Sequence, residues 1–399
     1  MSLRTDLAHP LRRAAVESLP GYLSELAGLV ALDSGSDDPD GVNAVASRVT
    51  HLLRRQGFAV ERVPLDGRGD AVIGRLAGRT PRSRGGRRIL LAGHLDTVFD
   101  RGTAAARPFS TDGKRAYGPG VSDDKGGLLA GLTATELLLG TGFRDFAELV
   151  FLATPDEEAG SPMSRPVTEA LAGTADLALA LECARENGDL VIARKGVADF
   201  HVRITGRAAH AGIEPERGAN AALAAANLVL ELQALNGRRQ GVTVNVGTIR
   251  AGTRTNIVSA EACLELEVRS PTRDGMEWAA KSIHEHAGHL AVEGTAAVVT
   301  QLDDCPVMED GPGARVLLAR ARAIGARLGF AVDAAATGGV GDANFIAGQG
   351  VPVLDGLGPI GGADHTPGEW LDVTSVPDRV ALLATLIATC GTLDARKDL

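Results

Sequence analysis

Three short apolar runs, each breaking off into acid or imidazole, constrain this chain more than any other feature. Ile89 to Ala92 leads to His94 and Asp96, Leu149 to Ala153 leads to Asp156, Glu157 and Glu158, and Leu177 to Leu181 leads to Glu182. Unbroken apolar runs of this length suit buried strands, and strands alternating with helices make an α/β layer. Amphipathic patterning around Leu23 to Leu32 and Val42 to Gln56, and a helix from about Lys125 to Leu139, supply the covering layer. In open α/β sheets the carboxyl ends of the strands are where ligands sit.

From about Gly196 to Thr300 the pattern changes. Ala198 to Thr205, Val242 to Ile249 and Cys263 to Val268 read as strands that alternate with helices at Asn220 to Leu235 and Asp274 to Ala287. This is a βαβ-type arrangement, suited to a small sheet covered on one face and inserted as an α+β unit. After Pro306 the first style returns, with a helix at Leu317 to Leu328, a strand at Val351 to Asp355 and a last helix from about Val376.

The chain of 399 residues, 44% hydrophobic, can fill two or three domains. Its 50 acidic and 41 basic residues give a net charge of -9, which argues against nucleic acid as a partner, since phosphates need a basic face. The amino-terminal MSLRTDLAHPLRRAAVESLP has no apolar h-region, and no apolar run approaches the ~20 residues that span a bilayer. Cys183, Cys263, Cys305 and Cys390 are far apart without CxxC spacing, so neither a disulfide framework nor a thiolate zinc site is indicated. A cytoplasmic protein, with no membrane partner, is expected.

In LLAGHLDTV, alternate residues of an extended chain share a side, so the Asp96 carboxylate can accept from one imidazole nitrogen of His94 and leave the other for a metal. A satisfied structural pair reads equally well. In AYGPGVSDDKGG a tight loop precedes a helix, and Asp123 and Asp124 are either ligands or acids at a helix start. The loop is not a phosphate cradle, because Lys125 is followed by Gly126 and lacks the GxxxxG spacing before it. In FLATPDEEAG three acids crowd a strand end, which requires solvent or a cation. Glu182, and His365 in GPIGGADHTPGEW, complete the set. Three carboxylates carry about three negative charges against four on two divalent ions, leaving room for one hydroxide. Nitrogen and oxygen donors without thiolate point to zinc first, with cobalt or manganese as alternatives.

GHLDTV, AYGPGVSDDKGG, TPDEEAG, the Glu182 strand end, RAAHAG and the final HT loop follow one another across nearly the whole chain. In this the sequence resembles the di-zinc aminoacylase and carboxypeptidase family, and looks most like its bacterial glutamate carboxypeptidase branch, which removes carboxyl-terminal glutamate from folates. The resemblance implies that His94, Asp123 and Glu182 hold one metal ion, and that Asp123 bridges to a second held by Glu158 and His365. It makes Asp96 the partner of His94, and Glu157 the general base toward a metal-bridging water. It implies that His210 reaches the active site of a partner subunit to stabilise the oxyanion, and that Arg269 and Asn256 bind the substrate carboxylate and line the pocket. The fold it implies is a discontinuous catalytic domain (residues 1–195 and 305–399), with a mixed, mostly parallel sheet flanked by helices. It also implies that residues 196–304 form a ferredoxin-like lid and dimerisation domain.

The activity so implied is hydrolysis of an amide bond next to a free carboxylate, as a carboxypeptidase-type exopeptidase forming a homodimer. The substrate it implies is a small peptide or an acyl or amino-acid conjugate. The same site would serve an N-acyl-amino-acid deacylase, and a metal-binding protein without catalysis is the third reading. One departure bears on specificity: in QLDDCPVM, Cys305 stands where that branch has an arginine, and Arg254, near Asn256 in sequence, is the candidate replacement.

Other histidines are set aside. HEHAGH lacks the HExxH spacing, because position 288 is Gly288, so His284, His286 and His289 read as solvated helix residues, and His9, His51 and His201 likewise. Trp278 and Trp370 read as packing residues, and no G-x-S-x-G elbow supports a serine hydrolase.

Overall fold

The computed structural model describes residues 5–392. In chain order its principal elements begin with helices α1 (Ala8–Val30) and α2 (Pro39–Arg55), strands β1 (Ala59–Val63), β2 (Ala71–Ala77) and β3 (Arg88–His94), and helix α3 (Lys125–Gly140). Strand β4 (Glu148–Thr154), helix α4 (Arg165–Ala172), strands β5 (Leu177–Ala180) and β6 (Gly196–Thr205), and helix α5 (Ala221–Gln233) follow. Then come strands β7 (Thr243–Ala251) and β8 (Glu261–Ser270), helix α6 (Arg273–Ala287), strand β9 (Ala296–Cys305), helices α7 (Pro312–Leu328) and α8 (Asp342–Gly348), strand β10 (Val353–Leu354) and helix α9 (Val376–Cys390). Two compact units result, one of Met1–Ile192, Asp310–Ala336 and Gly341–Leu399, the other of Ala193–Glu309 with Thr337–Val340.

The first unit is built on a six-stranded sheet in the order β1-β2-β4-β3-β5-β10. β4, β3, β5 and β10 run parallel, and β2 and β1 add an antiparallel edge, so the sheet is mixed but mostly parallel. Ile89, Leu90 and Leu91 of β3, and Leu149, Phe151 and Leu152 of β4, are fully buried, which explains why these runs carry no polar alternation. Helix α2 begins at an Asp38 side chain that accepts from Gly41 N–H at 3.2 Å, has proline at its first position and ends on Arg54 and Arg55, which complement the helix dipole. Helix α1 starts well before the expected Leu23 and runs through Pro20, because Leu11, Ala15, Tyr22, Leu26 and Leu29 are all buried and their packing outweighs the proline. Strand β10 is shorter than the expected Val351 to Asp355. Pro352 has no N–H to donate, and Asp355 pairs instead with Val191.

The second unit is a four-stranded antiparallel sheet in the order β7-β8-β6-β9. β6 and β7 are both antiparallel to β8 and therefore parallel to each other, joined through α5 across an intervening strand, the ferredoxin-like order. Alternation along β6 turns Phe200, Val202 and Ile204 into a core shared with Leu264, Leu266, Leu228 and Ile283, under α5 and α6. His286 is half-buried and lies 3.1 Å from Glu231 of α5, a helix-to-helix pair where a solvated residue was expected. No described helix is long and apolar enough to cross a membrane.

Candidate metal centre

Because β3, β4 and β5 are parallel, their carboxyl ends open along one edge of the sheet. His94 closes β3, Glu157 and Glu158 begin a short 3-10 turn (Glu157–Ala159) beyond β4, and Glu182 follows β5. Asp123 stands in the loop that leads into α3. That helix lies close against the end of β5 only because its first turn is glycine: a Cβ at Gly127 would come within 2.0 Å of both the Leu181 carbonyl oxygen and Asp124 Oδ1. His365 comes from the loop before Trp370–Asp372, with its backbone in the left-handed region at φ 63°.

Asp123 is set between two imidazoles. Its Oδ1 is 2.8 Å from His94 Nε2, which also lies 3.6 Å from Glu182 Oε1. Its Oδ2 is 3.1 Å from His365 Nε2, which also lies 3.0 Å from Glu158 Oε2. There are thus two corners, each of one imidazole nitrogen, one glutamate and one oxygen of Asp123. His94, Asp123 and Glu158 offer donor atoms all within 4.8 Å of one another. Imidazole and carboxylate donors without thiolate are what zinc, cobalt or manganese accept, so the residues present fit a divalent cation in each corner.

Asp96 does more than orient one ring. Its backbone oxygen lies 3.1 Å and its Oδ1 3.3 Å from His94 Nδ1. Its carboxylate also accepts the backbone N–H of Glu157 at 3.2 Å, that of Glu158 at 3.1 Å and the Ser36 hydroxyl at 2.6 Å. Fully buried, Asp96 ties the end of β3 to the turn beyond β4.

Burial works to lower the His94 pKa, but Asp123 and Asp96 hold it well above its ordinary value. The hydrogen bond to Asp123, with Glu158 beside it, lifts His365 to about 9. Burial would raise Asp123, yet the two imidazoles hold it low. Burial pushes Glu157 well up, and burial with the neighbouring Asp123 pushes Glu158 to about 7. Carboxylates held up in this way, beside imidazoles held protonated, are groups from which a bound cation would displace protons.

Three further groups of this unit, Asp342, Glu369 and Lys125, have no role at the site in the sequence analysis, and Asp124 is named there only as a ligand or a helix-start acid. Asp124, buried, accepts the His94 N–H on Oδ2 at 3.3 Å. Asp342, at the start of α8, accepts the hydroxyls of Thr154 and Ser161, each at 2.6 Å, and so holds both ends of the Glu157 turn. Glu369 accepts three backbone N–H groups of the Asp123 loop. Lys125 is buried and donates to the Leu32 carbonyl at 2.7 Å. Of these, Asp124 had a sequence signal as the neighbour of Asp123, and Glu369 as the fourth residue after His365.

The remaining named residues are in the second unit. His210, Asn256 and Arg254 are exposed and gather at one corner, where His210 bridges Ile257 and Asn256 accepts the Ala211 N–H at 3.1 Å. Arg269 is at the other end of the same sheet. Register pairs Glu261 with Thr205 at one end of β8 and Arg269 with Val197 at the other, roughly 26 Å away at ~3.3 Å per residue. Arg269 is paired with Glu267 at 2.7 and 2.9 Å and donates to the Gly338 carbonyl at 2.9 Å. Cys305 also pairs with Val197, so Arg254 does not take the place of Cys305 within one chain.

The model of peptidase family M20/M25/M40 matches residues 90–389. Carboxypeptidase G2 of Pseudomonas sp. (strain RS-16) is 33% identical over 96% of this chain and 92% of its own length. A succinyl-diaminopimelate desuccinylase of Methylobacterium radiotolerans is 28% identical over 85% of this chain and 90% of its own. In fold, the chain is similar to aminopeptidase PepT of Bacillus cereus, with a TM-score of 0.76 at 24% identity over 93% of this chain and 98% of that one. The chain belongs to peptidase family M20/M25/M40 and is a metal-dependent hydrolase of the carboxypeptidase and aminoacylase kind.

Proposed function

We propose that this hydrolase is a dinuclear zinc exopeptidase that cleaves an amide bond next to a free carboxylate. The observation that carries the reading is Asp123, whose two oxygens face two different imidazoles. His94, Glu182 and Asp123 would hold one cation, and His365, Glu158 and Asp123 the other, with cobalt or manganese as substitutes for zinc. Divalent cations so held supply Lewis-acid polarisation of a carbonyl and a lowered pKa for water.

The protein's own groups do the rest. Glu157 follows β4 directly before the ligand Glu158, and its backbone is held by Asp96. In this reading it takes a proton from the attacking water and returns it to the leaving nitrogen as the C–N bond breaks, giving a carboxylate and an amine. Asp96 keeps the His94 ring and the Glu157 turn in register. Arg269 offers a planar guanidinium for the substrate carboxylate, exchanging its pairing with Glu267 for two parallel bonds to the ligand.

Arg269 and the His210–Asn256 corner lie at opposite ends of one sheet, too far apart to line one small pocket from a single chain. This supports a homodimer in which His210 and Asn256, with Arg254 tuning the side-chain pocket, serve the site of the partner subunit. The second unit would then be both lid and dimerisation surface. The four cysteines, far apart in sequence and without CxxC spacing, suit a reducing cytoplasm.

A second reading, deacylation of an N-acyl amino acid, is favoured by Cys305 in place of a cation and by the likeness to a desuccinylase. Zinc-loaded enzyme assayed on an acetylated amino acid, a dipeptide and a folate-type glutamate conjugate separates the two. The exopeptidase is expected to prefer the peptide or conjugate, and preference for the acetylated amino acid overturns it. Chelation should abolish either activity, and zinc should restore it.

A further inference from the structure

Glu369 is a glutamate with 1% of its surface exposed. The local fold explains its position. Trp370–Asp372 pairs antiparallel with Arg115–Tyr117, and Trp370 stands opposite Tyr117. The residue before Trp370 therefore lies beside the residues that follow Tyr117, which form the loop ending in Asp123. There Glu369 Oε2 accepts the Gly120 N–H at 2.9 Å, while Oε1 accepts the Ser122 N–H at 2.8 Å and the Asp123 N–H at 3.0 Å.

One carboxylate thus satisfies three backbone donors that would otherwise be buried without partners. On its other side the same segment carries His365. Two residues there, Ala363 at φ 56° and His365 at φ 63°, have left-handed backbones that non-glycine side chains keep only when their surroundings hold them. The turn closes through Thr366 N–H to the Ala363 carbonyl at 3.2 Å and Glu369 N–H to the Thr366 carbonyl at 3.3 Å. Glu369 is consequently the link between the backbone of Asp123 and the loop of His365.

We infer that Glu369 is a positioning residue of the metal centre: its carboxylate fixes the Gly120–Asp123 backbone against the His365 loop and so decides where Asp123 stands between His94 and His365. The inference rests on the dinuclear reading proposed above. It requires the carboxylate itself, not only the volume of the side chain. Glutamine has the same shape but one acceptor oxygen, and its NH2 would face at least one of the three N–H groups. Aspartate keeps both oxygens one methylene short.

The test is a chelator competition on zinc-loaded wild type, Glu369→Gln and Glu369→Asp, with bound zinc counted by elemental analysis and folding followed by circular dichroism in the same samples. Wild type is expected to hold two zinc ions. The glutamine variant is expected to stay folded and give up zinc at about tenfold to 100-fold lower chelator, the usual range for a residue that holds a ligand. The ion between Asp123 and His365 should leave first, and the aspartate variant should fall between the two. Zinc retention equal to wild type in a folded glutamine variant overturns the inference. Should that variant not fold, the aspartate variant decides by the same comparison; if neither folds when zinc-loaded, Glu369 serves folding and the inference is overturned. Wild type holding fewer than two ions removes the dinuclear reading, and the inference with it.

Discussion

Asp96 and Glu158 are joined through the backbone: Asp96 Oδ2 accepts the Glu158 N–H at 3.1 Å, while the other oxygen accepts that of Glu157 at 3.2 Å. A proposed ligand and the proposed base thus hang from one buried carboxylate that also orients His94. Asp96→Asn would turn an NH2 toward one of these donors. We expect kcat to fall by roughly 10-fold to 100-fold with KM little changed and zinc held less tightly. Steady-state kinetics with zinc analysis checks this, and wild-type kcat would argue that the turn is held elsewhere.

Glu157 shares that turn but belongs to neither corner. Glu157→Gln should reduce kcat by roughly 100-fold to 10,000-fold, the usual contribution of a positioned general base, while bound zinc stays at the wild-type level. Parallel loss of zinc would instead make Glu157 a ligand. The two outcomes separate in a single preparation assayed for turnover and metal content.

Zinc uptake should release protons. The hydrogen bond to Asp123 lifts His365 to about 9, above its ordinary 6.5, so at pH 7 the imidazole is protonated and must lose that proton to bind a cation. Burial and the neighbouring Asp123 raise Glu158 as well, so it too gives up protons on binding a cation. Apparent zinc affinity is therefore expected to rise with pH up to about 9 and to fall as pH drops below it. Calorimetric titrations in two buffers of different protonation enthalpy give the count; identical heats in both would contradict it.

The dimer proposal has its own test. Chains carrying His210→Ala and chains carrying Glu157→Ala are each expected to be nearly inactive, yet mixed and allowed to exchange they should regain a fraction of wild-type activity. In the hybrid, one site receives an intact His210 from its partner while keeping its own Glu157. No recovery in demonstrably mixed dimers would mean that His210 acts within its own chain or not at all.

How much of this could be read beforehand depended on range. Unbroken apolar runs marked β3, β4 and β5, and their polar ends marked the edge where the site opens, because both signals lie within a dozen residues. Long-range pairing left little trace. The bonds from Glu369 to the Asp123 loop span about 246 positions and those from Asp342 to Ser161 and Thr154 up to 188, and a buried acid looks like a surface acid in sequence. Arg269 was legible as a cation but not as one already engaged by Glu267 two residues away, since the expected strand stops at Val268 and the observed one runs on to Ser270, which puts both side chains on one face. His286 failed for a similar reason: its partner lies 55 positions off on another helix.

The parallel register that sets Ala92 beside Ala180 has a consequence for how this sequence can vary. Each successive side chain of a strand faces the other way, so one residue inserted between Leu177 and Glu182 would swing that glutamate to the wrong face and strip one corner of a donor. Surface loops far from the carboxyl edge generally tolerate changes of length. Within the three central strands, by contrast, spelling changes are tolerable but the spacing to the final acid or imidazole is not negotiable.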